Sequence, residues 1–127
     1  MFKDAEAYSG FSVDDIPAAK AFYADTLGLE VAEHHGMLTI RLGTGATVLA
    51  YPKGDQHVPA EFTILNFPVD DIDQAVDALA SKGIEVHKDG PYSDEKGILR
   101  GKSQDMGPDI AWFSDPAGNT LSVLDES

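Results

Sequence analysis

The sequence predicts an α+β fold: two tandem βαβββ modules whose mixed sheets curve around a cup-shaped pocket. Three observations point there. The stretch FSVDDIPAAKAFYADTLGLEV (11–31) returns as FPVDDIDQAVDALASKGIEV (67–86). Each copy starts with an alternating strand-like run, passes through a helical pattern and goes back to β. The chain has 127 residues, the size of one domain, here 1–127 with modules of about 5–56 and 61–126. Two copies are too few for a solenoid, so a duplicated module is the better reading of the repeat.

Each element has a local reason. AYSGFSV and FTILNFPV carry the bounded alternation of strands. Asp14 or Asp15 supplies an N-cap acceptor for the first helix, and Pro17 suits its first turn. Ile16, Ala19, Tyr23 and Leu27 recur at helical spacing and predict the buried stripe, and Gly28 permits a left-handed cap. In the second copy Asp70 or Asp71 caps the helix, Ile72, Ala75, Val76 and Leu79 form the stripe, and Gly83 ends it. Strands are expected near 29–34, 37–42 and 47–52, broken at Gly36 and at GTG (43–45), and then near 84–88, 109–114 and 120–125. The long polar run 89–108 between the first two of the later strands reads as a functional lid or a disordered segment. HVPAE (57–61) links the halves. A helix then covers one face of each sheet, and the other face is free to line a cup.

Composition narrows the function. There is no cysteine, which excludes disulfides and thiolate metal sites. The formal charge of −13 would repel a phosphate backbone, so no nucleic-acid partner is expected. No run of about 18 apolar residues is present, so no membrane span is expected. The first residues lack the pattern of a signal peptide, and a soluble cytoplasmic protein is the plain expectation. The dispersed acids serve solubility, or favour a cationic ligand.

The two VDDI segments at their spacing, together with FSDPAGNTLSVLD near the end, resemble the vicinal oxygen chelate superfamily, the glyoxalase, bleomycin-resistance and dioxygenase fold. The resemblance covers nearly all of the chain and implies a glyoxalase-like domain. It also implies a divalent metal held in the cup by His, Glu or Gln. Two of the positions it points to lie five residues before the Val of each VDDI and are Tyr8 and Ile64. The others fall at Ser122 and, with a softer alignment, Ala50. Tyr, Ile, Ala and Ser do not make a closed shell for a first-row metal. The expectation is therefore a metal-independent small-molecule-binding protein with no cofactor. The alternative is a glyoxalase-, dioxygenase- or epimerase-type enzyme with an altered site.

Strand alternation sorts the lining of the cup. Tyr8, Gly10 and Ser12 are expected on the open face, with Phe11 and Val13 beneath the helix. Ile64 and Asn66, Ile110 and Trp112, and Ser122 and Leu124 are expected to face in likewise, as are Thr39 and Arg41. Arg41 suits a ligand carboxylate or phosphate, or else pairs with one of the many acids. Trp112 suits stacking on a planar or cationic ligand, or else core and dimer packing. Tyr8, Ala50, Ile64, Asn66, Arg41, Trp112 and Ser122 are thus the candidate ligand-binding residues, with no metal ligand among them. His34 and His35 are adjacent and would point to opposite faces of a strand. His57 lies in the linker and His87 near the long loop. Exposed sheet edges and apolar surface predict a homodimer.

Overall fold

The chain forms two compact units, Met1–Pro59 and Ala60–Ser127, in a computed structural model that describes every residue from Met1 to Ser127. In the first, β1 (Ser9–Val13) leads to α1 (Ile16–Lys20), a π-helical turn (Ala21–Thr26), and the strands β2 (Glu30–His34), β3 (Met37–Arg41) and β4 (Thr47–Pro52). In the second, β5 (Thr63–Pro68) leads to α2 (Ile72–Ser81), and then to β6 (Leu99–Arg100), β7 (Asp109–Ser114) and β8 (Thr120–Asp125). The sheets have matching orders, β1-β4-β3-β2 and β5-β8-β7-β6. In each, the opening strand pairs in parallel with the closing one and the remaining neighbours are antiparallel.

The repeated VDDI builds the same helix start twice. Asp15 takes φ −142 and ψ 106 and accepts from the Ala18 amide, while Asp71 takes φ −143 and ψ 106 and accepts from Gln74. Satisfying one otherwise orphaned amide in this way stabilises a helix by about 1 kcal/mol. The helix ends differ. After α2, Gly83 at φ +79 closes a paired cap in which the Ile84 amide reaches the Leu79 carbonyl and the Gly83 amide reaches that of Ala80. The first copy holds one residue more between its capping aspartate and its glycine. That residue is absorbed as the π turn, where the Leu27 amide bonds to the Phe22 carbonyl and Leu29 to Tyr23.

The widened turn also changes which side chains are buried. Ala19 and Tyr23 lie in the core as the spacing predicts, and Phe22 joins them, whereas Ile16 and Leu27 are only half-buried. Adjacent Phe22 and Tyr23 meet edge to face at 5.1 Å, and Tyr23 sits 5.8 Å from Phe11. Beneath them lie Val13, Leu38, Ile40, Val48 and Ala50. In the second unit Ile72, Val76 and Leu79 of the helix are buried, as are Ala111, Phe113, Leu121 and Val123 of the sheet.

One predicted strand is corrected. Residues 84–88 form no ladder and make one strand-like bond, from the His87 amide to the Trp112 carbonyl at 2.8 Å. The edge of β7 is taken instead by Leu99 and Arg100, opposite Ile110 and Asp109. The cause lies in the long run 89–108. Ile98 is fully buried, and Gly97 passes so close to Val86 and His87 that a Cβ there would stand 2.6 Å from a Val86 methyl. Burying Ile98 draws this segment onto the sheet.

Polar bonds fix the same segment. Asp94 accepts from the Lys96 and Ile98 amides, at 2.9 and 2.8 Å, and from Arg100 Nε at 3.0 Å. Arg100 then makes a two-pronged pair with Asp73 on α2, at 3.0 and 2.8 Å. Lys96 reaches Asp73 and Asp77, each at 3.1 Å. The Arg100 and Lys96 bonds hold the Asp73 carboxyl well below the usual carboxylate range. For Asp94 burial acts upward, but the two amides and Arg100 outweigh it and its pKa is lowered. Residues 94–100 are therefore a strap tied to α2, and not a free lid.

Candidate functional site

The second sheet carries one row of polar and aromatic side chains on the face opposite its core. Ser122 on β8 is opposite Asn66 on β5 and Trp112 on β7. Ser122 Oγ donates to Asn66 Oδ1 at 2.6 Å, and Ser122 is fully buried. Trp112 Nε1 donates to Thr63 Oγ1 at 3.1 Å, which fixes the half-buried indole. In the next row Ser114 pairs with Thr120, and Ser114 Oγ lies 2.8 Å from His87 Nε2.

Around Trp112 opens a recess of about 280 Å³, lined among others by Glu61, Phe62, Thr63, His87 and Asp89. Phe62 is 73% exposed. Asp89, Gly90 and Ser93 also line the recess, so the start of the long run contributes to this site while its later part is strapped to the helix. The end of the second module is rigid by construction. Asp115 Oδ1 accepts from the Ala117 and Asn119 amides, its Oδ2 accepts from Asn119 Nδ2, and Asn119 Oδ1 accepts from the Ala60 amide. This turn anchors the start of β8 beside the residues that lead into Thr63.

In the first unit Tyr8, Thr39, Thr47 and Leu49 border a smaller recess of about 190 Å³. Tyr8 is largely exposed. Arg41 does not line this recess. It pairs with Glu30, its cross-strand neighbour, at 2.8 Å, so of its two expected roles the structure displays the ion pair. Ser12 Oγ lies 2.7 Å from His57 Nδ1, which brings a linker histidine to the open face.

Two positions depart from their expected places. Ala50 is opposite Phe11 and Leu38 and is fully buried with them, so it packs on the core side of the sheet. Its neighbours Leu49 and Tyr51 fall on the open side by the alternation of β4. Ile64 sits in a β-bulge. Thr63 pairs with Thr120 and Leu65 with Leu121, which leaves Ile64 without a partner on β8. A bulge re-aims side chains, and here Thr63 is the residue that meets Trp112. Of the candidates, Asn66, Trp112 and Ser122 stand together on one sheet, and Tyr8 lies in the other unit, one residue before β1.

Thr63, Phe62, Asp89 and the His87–Ser114 contact were not legible as site residues in the sequence. Phe62 opens the run FTILNFPV in phase with Ile64 and Asn66, but the strand starts only at Thr63 and the bulge at Ile64 breaks that phase. Asp89 lies outside the strands, where alternation gives no direction. His87 sits in the segment predicted as a ladder strand. Neither module offers a metal-binding donor set, since no group of three or more His, Asp or Glu side chains is placed to share an ion. The buried Ser122 hydroxyl already donates to Asn66, and Ile64 and Ala50 have no donor atom. The residues present do not fit the metal that the resemblance implies.

Comparison with known proteins agrees with this architecture. Residues 7–123 match the family described as Glyoxalase/Bleomycin resistance protein/Dioxygenase superfamily. No curated protein sequence matches the chain. Among solved structures the chain is similar to TnmS3, an antibiotic binding protein from Streptomyces sp. CB03234, with 24% identity, a TM-score of 0.64, and 95% of this chain and 96% of that one covered. It is similar to the oxidase ChaP-H2, with 22% identity, a TM-score of 0.69 and coverage of 94% and 91%. It is also similar to the fosfomycin resistance protein FosX from Listeria monocytogenes, with 13% identity, a TM-score of 0.68 and coverage of 95% and 92%. At these identities the likeness is one of fold. No helix is long and apolar enough to cross a membrane.

Proposed function

The chain belongs to the Glyoxalase/Bleomycin resistance protein/Dioxygenase superfamily, and from that premise we propose that it is a metal-independent small-molecule-binding protein. The observation that carries the reading is the recess beside Trp112. A fixed indole, an exposed phenyl ring and a few anchored polar groups are the usual make-up of a small-molecule site. Metal independence is supported by the donor chemistry: of the positions the resemblance implies, Ile64 and Ala50 carry no donor atom, Ala50 also packs in the core, and the Ser122 hydroxyl is taken up by Asn66. A protein described as an antibiotic binding protein has a similar fold. We also propose a homodimer in the cytoplasm; its dimeric state is supported by two edge strands in each sheet, β1 and β2 in one and β5 and β6 in the other. Sedimentation at micromolar concentration tests the dimer.

Metal analysis of protein purified without chelator tests the main reading. The expected result is far less than one equivalent of any first-row metal. A tightly held equivalent of nickel, zinc, iron or manganese would overturn it. Trp112 is the only tryptophan, so its emission should shift when a screened compound protects the fold against heating.

The second reading is an enzyme with an altered site, and the His87–Ser114 contact favours it. An imidazole nitrogen 2.8 Å from a hydroxyl, beside the recess, is placed for proton transfer. Turnover of a bound compound that is lost in His87→Gln with binding retained would establish this reading over the first.

A further inference from the structure

Two cavities of the second unit differ in charge. The groove between α2 and residues 83–88, about 430 Å³, is mixed. Asp77, Glu85 and Glu95 line it together with Lys88 and Lys96, and Lys96 is already held by Asp73 and Asp77. The recess beside Trp112 has Glu61 and Asp89 on its lining and no lysine or arginine. Its apolar contribution is aromatic, from Phe62 and Trp112. Both carboxylates belong to exposed residues, and no ion pair engages either one.

These features together select a ligand class. A flat ring system gains from contact with Trp112 and Phe62 whatever its charge. A positive charge on that ring is attracted both by the aromatic faces and by the two carboxylates. A negative charge meets Glu61 and Asp89 with no cation to offset them, in a chain of formal charge −13. Thr63 takes the indole N–H, so the tryptophan already has a partner and does not need an acceptor from the ligand.

We propose that the recess bounded by Phe62, Trp112, Glu61 and Asp89 takes a planar aromatic cation. The inference rests on the reading of this recess as the ligand site and adds the charge and shape of what enters it.

Three probes of similar ring size separate the possibilities: N-methylquinolinium, neutral quinoline and the anion 1-naphthoate. Binding is read by calorimetry and by Trp112 emission at about pH 8. N-methylquinolinium should bind about tenfold tighter than quinoline, with 1-naphthoate weakest, and the preference should shrink as salt is raised. In the Glu61→Gln, Asp89→Asn double variant the cation's advantage over quinoline should fall to about twofold. An unchanged thermal midpoint shows that the variant is folded. Equal affinity for the cation and quinoline, with Trp112 emission shifted by both, would sink the charge selection and leave the recess standing as a binding site. A cation preference that survives in the double variant would remove the two carboxylates from the argument and overturn the proposal. Failure of all three probes to move Trp112 emission would remove the recess itself as the site.

Discussion

Ser122 shows how a position where the resemblance implies a ligand atom can be put to structural use. Its hydroxyl is buried and its proton goes to Asn66, so it joins β8 to β5 by a side-chain bond in addition to the backbone ladder. Ser122→Ala should cost about 1 kcal/mol, because the Asn66 side chain is exposed enough to turn to water. Reinstating a carboxylate with Ser122→Glu should cost more, roughly 2–4 kcal/mol, since the larger side chain would carry an unpaired charge into a closed position beside Trp112. Urea midpoints of the two variants check the order. Nickel or manganese should not restore the glutamate variant. Alternation along β8 was enough to predict which way Ser122 points. Its burial was not predictable, because that depends on side chains from two other strands.

Among the elements, the first helix and the strap carry the clearest consequences. The π turn accommodates one residue that the second copy lacks. Deleting Asp25 should let the first helix close as the second does. The variant should stay folded with a midpoint within about 1 kcal/mol of the parent, read by circular dichroism during urea unfolding. Loss of the fold would mean that burial of Phe22 beside Tyr23 needs the wider turn. In the strap, Gly97 adopts φ +88 against Val86 and His87. Gly97→Ala should cost about 2 kcal/mol or more, because the backbone disfavours a Cβ and the neighbours leave it no room. The sequence marked the extra residue by the change of offset between the copies but could not say how it would be absorbed. The strap looked like loop because its Gly, Lys, Asp and Glu residues are those of a loop. Its fully buried anchor, Ile98, and the acceptors on α2 come together only in three dimensions.

Across the whole molecule, acid and salt should act on separate features. The carboxyls of Asp73 and Asp94 lie below their usual range, and that of Asp125, lowered by Ser127 and Lys102, falls to about 2. Folded values below unfolded ones mean that these bonds stabilise the protein fully above about pH 4. The contribution fades as pH falls from about 4 toward 2, where the folded state must take up the protons. Thermal midpoints measured across that range should therefore drop. At neutral pH the formal charge of −13 opposes compaction, so raising sodium chloride to about 0.3 M should raise the midpoint by screening. A fall with salt would give the ion pairs on α2 more weight than the net charge. Element order and both helix caps were legible because they depend on local residue patterns. The recess was legible only at Trp112, since Phe62 and Thr63 precede a bulge that shifts the strand's phase, and His87 and Asp89 come from segments without a regular period.

The strap would leave its own signature in a comprehensive library of single substitutions. Residues 89–108 read as loop in composition, yet tolerance within them should be sharply uneven. Variants at Asp94, Gly97 and Ile98 should be depleted much as those of the sheet core are, while Lys102 to Gly107, which are exposed, should accept most changes. An insertion tag or epitope placed in this run would succeed or fail within a space of a few codons.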